Sequence, residues 1–361
     1  MKDIVFESDT RLSMDSLLDI TESLEPTSYF SETETEALTE TCTSLIEDHL
    51  KENPLQMSKP EFLEQLETDV LNMLFVSVST VCPFVVEDEL MKIYQTALSV
   101  VFTTFVPRRS YKRTFVRHNI QKQNISKKLE DLRSRPQPQQ CTDEWYLFRW
   151  NLISASSAWK AFGTEASVNS LIVEKCKPID VNKYKSVNTE STLHHGKKYE
   201  PVSILYYEYY YGAKVEEFGC IKHAQYGDFL GASPDGIVVN EDNDRYGRML
   251  EIKNVVSRKI TGIPKEMYWI QMQLQMEVCN LNECDFLETS ISEYDTIEEF
   301  NDDGDFKKTA SGKYKGIIIH FLVDGQPYYE YAPFQCSEEE FHVWQESIMQ
   351  QHVNHTWIRN I

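Results

Sequence analysis

No stretch of this sequence approaches the roughly eighteen consecutive apolar residues that a membrane-spanning helix requires, which argues against a helical span. Nor does the start resemble a secretory signal: Asp3, Glu7, Asp9 and Asp15 stand where a basic flank and an apolar core would be needed. The expectation is an intracellular protein without a membrane partner. Cysteine is scattered, with eight at positions 42, 82, 141, 176, 220, 279, 284 and 336. Free thiols are the expectation inside a cell. Cys220-x2-His223 and Cys279-x4-Cys284 could share a zinc ion, but neither forms a tight ligand knuckle. No internal repeat is evident.

Positive charge is also in short supply: the formal net charge is −21. For a nucleic-acid binder that sum looks wrong, but its distribution matters more. Residues 1–107 hold 5 basic and 21 acidic residues, whereas residues 108–135 hold 10 basic and 2 acidic ones. What the chain does have is length for one or two sizeable cores, with 361 residues, 41% apolar and 12% aromatic, which excludes wholesale disorder.

Residues 1–34 mix Asp, Glu, Ser and Thr with isolated apolar residues and are expected to be loosely ordered. Leu38, Cys42, Leu45, Ile46 and Leu50 then recur at helical steps, Ser58-Lys59-Pro60-Glu61 reads as a helix start, and Phe62, Leu66, Val70, Leu71 and Leu74 give a second helix. A third is predicted from Glu87 to about Val106, making 35–107 a helical accessory domain. The basic segment and linker, 108–140, ends in Pro136-Gln137-Pro138. It could track DNA phosphates, or be a solvated connector or a nuclear import signal. From residue 141 the pattern is α/β. Strands are predicted at Phe229–Val239, Met249–Val255, Phe286–Ile291 and Ile317–Val323, and helices at Lys197–Tyr211, Lys265–Asn280 and Glu338–His355. The fold class expected is a central mixed sheet flanked by helices, with a helical region before it.

Ser233-Pro234-Asp235-Gly236 precedes one strand, the Asn- and Asp-rich 240–247 stretch makes a turn, and Met249-Leu250-Glu251-Ile252-Lys253 returns. Side chains alternate along a strand, so Glu251 and Lys253 share a face and Asp235 arrives beside it. Two hard carboxylates, with the Ile252 carbonyl as a third oxygen, suit Mg2+ or Mn2+. Such a metal would stabilise charge on a scissile phosphate, while Lys253 orients or activates water, with or without a lowered pKa. A surface hairpin with an ordinary Glu–Lys pair is the plainer alternative.

Three further segments bear on that choice. Glu200, after Gly196, could add an oxygen to the metal site or be an ordinary first-turn glutamate. Tyr268, Gln271 and Gln275 fall on one helix face, where amides hold water or phosphate oxygens, or simply face solvent. Arg149, just before Ile153-Ser154-Ala155-Ser156, makes an anion site or a structural cap.

Together the segments resemble the YqaJ and phage lambda exonuclease branch of the PD-(D/E)XK nuclease superfamily, which includes viral alkaline nucleases. The resemblance runs from about Glu144 to Ile291 and rests on five ordered motifs: Trp145 with Arg149 and Ile153 to Ser156; Gly196 with Glu200; Ser233 to Gly236; Glu251-Ile252-Lys253; and Gln271-Met272-Gln273. It implies a restriction-endonuclease-like core and a Mg2+-dependent deoxyribonuclease, with Mn2+ as a substitute. Asp235, Glu251, Glu200 and the Ile252 carbonyl are the implied metal ligands, Lys253 the catalytic lysine and Gln271 the active-site glutamine. Arg149 and Ser156 are implied to grip a terminal 5′-phosphate, which favours 5′→3′ digestion of duplex DNA ends into single-stranded tails. A single-strand annealing protein and a homo-oligomer are the partners such enzymes suggest, and a host nucleus or a cytoplasmic viral factory the setting. The first 140 residues have no counterpart in the minimal phage enzyme. An endonuclease of the same fold, an inactive DNA-binding module and a purely structural α/β protein are the competing readings.

Overall fold

The computed structural model describes residues 29–80, 87–106, 119–138, 142–179, 189 and 191–361. Two compact units divide the chain, residues 1–107 and 108–361. In the first, helix α1 (Glu32–Glu52) begins at a capping box in which Ser31 and Glu34 bond each other's backbone amides. A 3₁₀ turn (Pro54–Ser58) leads to α2 (Phe62–Ser79), followed by α3 (Glu87–Thr104). Cys42, Ile46 and Leu50, then Phe62, Leu66, Val70 and Leu74, then Leu90, Ile93, Ala97 and Val101 are buried, one face per helix.

Two expectations shift here. Residues 1–28 of the N-terminal stretch lie outside the described residues, but Tyr29 N is held by Glu89 and residues 32–34 are helical. The anticipated cap at Ser58 is not one: its hydroxyl donates back to Leu55 O at 2.7 Å and closes the 3₁₀ turn, so α2 starts at Phe62.

In the second unit α4 (Asn119–Ser134) comes first. Residues 108–118 of the basic stretch lie outside the described residues, yet from 119 it is not a connector. Leu129 and Leu132 are buried in the main core. Its charges are also engaged within the unit: Arg133 pairs with Glu216 at 2.6 Å, and Lys128 donates to Asn280 O at 2.6 Å. Gln137, expected in a linker, bridges Leu132 O and Gly219 N at 2.7 Å each.

The chain continues through α5 (Asp143–Trp150), β1 (Ile153–Ser154), α6 (Ala155–Ala158), α7 (Glu165–Cys176) and α8 (Thr192–Tyr211). Strands β2 (Val215–Glu216), β3 (Ile221–Lys222), β4 (Leu230–Ala232), β5 (Gly236–Val238) and β6 (Met249–Asn254) follow, then α9 (Glu266–Cys279) and β7 (Cys284–Thr289). Last come α10 (Ile297–Asp302), β8 (Ile318–Val323), β9 (Gln326–Tyr331), α11 (Glu338–Gln351) and β10 (Thr356–Asn360).

The strands form three sheets, ordered β1-β4-β3, β2-β5-β6-β7 and β10-β8-β9. The second is mixed: β2-β5 and β5-β6 are antiparallel, and β6-β7 is parallel across α9. The single strand predicted over Phe229–Val239 is therefore two, in different sheets. Pro234 has no N–H to give a ladder, and the chain changes partners there. The predicted Glu338–His355 helix ends at Gln351, and the chain returns as β10.

Alternation along the strands builds two cores. Ile237 and Met249 pack with Met272, Met276 and Cys279 of α9 and with Leu129 and Leu132. Val238, Leu250 and Ile252, on the other face, pack with Ile204 and Tyr207 of α8. Tyr207, in the tyrosine run, is thus core, and its hydroxyl bonds Asp285 at 2.7 Å. Beyond the sheet, Glu293 accepts from Lys198 Nζ (2.7 Å), Tyr199 OH (2.5 Å) and Arg359 (3.2 Å), joining α8 to β10. Among the described residues no helix is long and apolar enough to cross a membrane.

A chain beginning at Arg108 should unfold cooperatively, whereas one beginning at Cys141 should not, since it lacks Leu129 and Leu132. The substitution Leu132→Ala should lower stability by about 2–5 kcal/mol, read from urea midpoints.

Candidate active site

Asp235 is placed by the break at Pro234 and by two bonds across the hairpin. Its amide donates to Leu250 O at 3.2 Å, and its Oδ2 accepts from Ile252 N at 2.6 Å. Gly236 follows because β2 lies against it: a β-carbon there would collide with the Val215 side chain. On β6, Met249, Glu251 and Lys253 point to the α9 side, so the strand that supplies core also delivers the charged pair.

Glu251 is fully buried. Its Oε1 is bonded by Lys253 Nζ, and its Oε2 accepts from Gln275 Nε2 at 2.7 Å. The same nitrogen donates to Ser233 O at 3.1 Å. Lys253 lies 5.1 Å from the Tyr268 ring centroid, and that ring stacks on Phe286 at 5.7 Å. Level with Lys253 on β7, Glu288 is paired with Arg258.

The third carboxylate comes from α8. That helix starts at Thr192, one turn before the predicted start, because Ser191 caps it by accepting from His194 N at 3.1 Å. Glu200 therefore lies well inside the helix rather than in its first turn, which removes the plain helix-dipole explanation for it. Burial, then Glu217 and Glu251, push Glu200 up to about 7, against Lys253 and Lys197. Burial, Glu251 and Glu200 likewise hold Asp235 well above the ordinary carboxylate range. For Lys253 burial would lower the pKa, but Glu251 and Asp235 outweigh it and the value rises. In this metal-free arrangement the two carboxylates thus favour the ammonium form of Lys253.

Glu251 thus acts on Asp235 and Glu200, and Glu200 on Asp235, a crowding of negative charge that Lys253 and Lys197 offset only in part. The donors are hard oxygens, which fit Mg2+ or Mn2+. Among the described residues no three His, Cys, Asp or Glu side chains form a ready-made cage. Here Glu251 is turned to Lys253 and Gln275, and Asp235 to the Ile252 amide. Elsewhere, burial pushes the Cys279 thiol up to about 12 and Cys284 well above its usual value. His223 Nδ1 accepts from the amides of Gln225 and Tyr226, and its Nε2 faces Glu277 at 3.4 Å, and among the described residues the candidate zinc ligands form no group of three.

Arg149 and Ser156 stand outside the acidic cluster. The Arg149 guanidinium lies over the Trp145 ring at 4.6 Å, and Ser156, exposed, is 3.1 Å from the Ser154 hydroxyl. Between them in the chain, β1 runs parallel to β4, Ser154 level with Gly231, and β4 leads directly into Ser233-Pro234-Asp235. Gln271 is buried on α9, but the amide that bonds Glu251 is Gln275, one turn later. Gln275 was visible from sequence as sharing a face with Gln271. Glu217 was not, since nothing in its spacing ties it to Glu200.

A carboxylate–lysine hairpin backed by a glutamine-bearing helix on a mixed α/β core defines the class of site. Residues 144–282 match the family model of the YqaJ-like viral recombinase domain, the similarity that the motifs implied. The chain is 30% identical over 212 residues to an uncharacterized protein, R354, of Acanthamoeba polyphaga mimivirus, covering 54% of this chain and 36% of that protein. It thus spans little more than a third of that relative's length. Among solved structures it is similar to an alkaline exonuclease, LHK-Exo, from Laribacter hongkongensis, with 22% identity and a TM-score of 0.33 over 58% of this chain and 94% of that one. The structure of LHK-Exo in complex with dAMP gives 20% identity and a TM-score of 0.33 over 59% and 99%.

Because the Glu200 carboxyl sits at about 7 in the fold against an ordinary 4.5, its stabilising contribution is whole below 4.5 and lost as pH rises through 7. In thermal scans with EDTA, Glu200→Gln should melt near the wild type at pH 4.5 and above it at pH 8, by about 2–4 °C per kcal/mol relieved. Equal offsets at both pH values would contradict the charge crowding.

Proposed function

We propose that this chain is a divalent-metal-dependent deoxyribonuclease that hydrolyses DNA phosphodiester bonds, digesting duplex ends 5′→3′ to leave single-stranded tails. The observation that carries the reading is the hairpin that sets Asp235 on the Ile252 amide and Lys253 on the fully buried Glu251, with Glu200 of α8 linked electrostatically to both carboxylates. Asp235, Glu251, Glu200 and the Ile252 carbonyl would hold Mg2+, or Mn2+ in its place. When bound, the ion supplies charge neutralisation at the scissile phosphate and lowers the pKa of the attacking water.

The protein's own groups do the rest. Lys253 draws the phosphate in and orients water beside it. Tyr268 covers its outer side. Gln271 is assigned to a water or phosphate oxygen, since an uncharged amide does not compete for the cation. Arg149 and Ser156, on the segment paired with the strand before Asp235, are assigned to a terminal 5′-phosphate through charge-assisted hydrogen bonds. The similarity to a viral recombinase domain supports a role in recombination or viral DNA processing, in a host nucleus or a cytoplasmic factory, with a strand-annealing protein as partner.

On linear duplex with Mg2+, Lys253→Ala and Asp235→Asn should each slow cleavage on the order of 10²–10⁴-fold with unchanged circular dichroism, and EDTA should abolish it. Intact DNA with every divalent ion would sink the reading. The wild type should prefer 5′-phosphorylated over 5′-hydroxyl ends, and Arg149→Ala should erase a preference of about 10–100-fold. Nicking of closed-circular DNA would instead indicate an endonuclease.

A further inference from the structure

Resting on the nuclease reading above, we infer that Gln275 is a positioning residue for the metal site, holding Glu251 and the Ser233 segment together through one amide nitrogen. Gln275 is fully buried, with 0% exposure. Its Nε2 lies 2.7 Å from Glu251 Oε2 and 3.1 Å from Ser233 O. Both neighbours are acceptors, so only the NH2 end of the amide fits there. The reversed amide would set an oxygen lone pair against a carboxylate.

With both hydrogens donated, Gln275 Oε1 is buried and has no hydrogen-bond partner among the described residues. A buried orphan acceptor destabilises the fold, and a methionine of similar volume would not carry one. Such a residue would in turn leave Glu251 Oε2 and Ser233 O without the donor they have here. The amide offers what an apolar residue lacks, two directed bonds to the segments that carry the paired carboxylates. Ser233 is two residues before Asp235, and Glu251 lies across the hairpin, so one side chain sets the spacing of both.

Neutrality matters as much as reach. A lysine or arginine at 275 would cancel the Glu251 charge and take the place of a cation. The amide donates to Oε2 and leaves Oε1 facing Lys253. Buried behind Glu251, Gln275 acts through that carboxylate and not on DNA.

The test is calorimetric titration of Mn2+ into the DNA-free full chain, beside turnover measured against Mn2+ concentration. Gln275→Met should weaken Mn2+ binding by roughly 10–100-fold, the size of effect seen when a ligand's outer hydrogen-bond partner is removed. The Mn2+ concentration for half-maximal turnover should rise by the same factor, turnover at saturating Mn2+ should recover to near the wild type, and the metal-free variant should stay folded, since methionine fills the same space, while melting lower for the two acceptors left without a donor. Gln275→Leu makes the same deletion should the methionine variant melt early. Unchanged Mn2+ affinity in either folded variant overturns the positioning role, and Mn2+-dependent cleavage by the wild type then leaves the nuclease reading standing. Unfolding of both variants also overturns it, as the mark of a purely structural amide. A wild type that neither binds Mn2+ nor cuts DNA overturns both.

Discussion

Like charges held close in a place that water reaches poorly are the constraint around which the second unit is organised. Asp235, Glu251 and Glu200 come from a strand entrance, a strand interior and a helix interior, and Glu251 raises the free energy of the ionised forms of both others, as Glu200 does for Asp235. One ammonium cannot balance three carboxylates. The surrounding structure therefore does two things: it fixes the carboxylates with neutral donors, the Ile252 amide and the Gln275 side chain, and it keeps the single cation, Lys253, against them. Such a cluster is tolerated because the hairpin, the helix across it and the helix beneath it are all anchored in apolar packing on both faces of the same sheet.

The period of a β-strand is what makes this arrangement economical. Leu250 and Ile252 bury against α8, while Met249, Glu251 and Lys253 turn to α9, so a strand of six residues serves as core on one side and chemistry on the other. Proline at 234 contributes by what it lacks. Without an amide hydrogen there, the chain leaves one sheet for another, and Asp235 falls at the junction, close to the strand that carries Ser154.

Much of this was legible in the sequence, for identifiable reasons. Glu251 and Lys253 are local to one strand, and the Asn- and Asp-rich turn places Asp235 against it, so alternation and turn chemistry were enough. Helix patterns at α2, α3 and α9 were read from apolar spacing, with ends off by one to a few residues. The rest depended on contacts that spacing does not encode. The basic composition of α4 concealed Leu129 and Leu132, which pack far from their sequence neighbours. Ser58 looked like a cap but bonds backward, and Ser191, less conspicuous, is the true one for α8. Of the glutamines on α9, sequence gave no means to say which reaches Glu251, since both Gln271 and Gln275 lie on one face. That is a matter of helix rotation and depth, decided by the packing of Met272 and Met276.

Glu293 joins parts of the chain that are otherwise remote. Lys198 and Tyr199, which it holds, immediately precede Glu200, while Arg359, its third partner, belongs to the outermost strand. One carboxylate thus ties the turn of α8 just before Glu200 to β10, and its removal would leave the Lys198 ammonium and the Tyr199 hydroxyl without the acceptor they share.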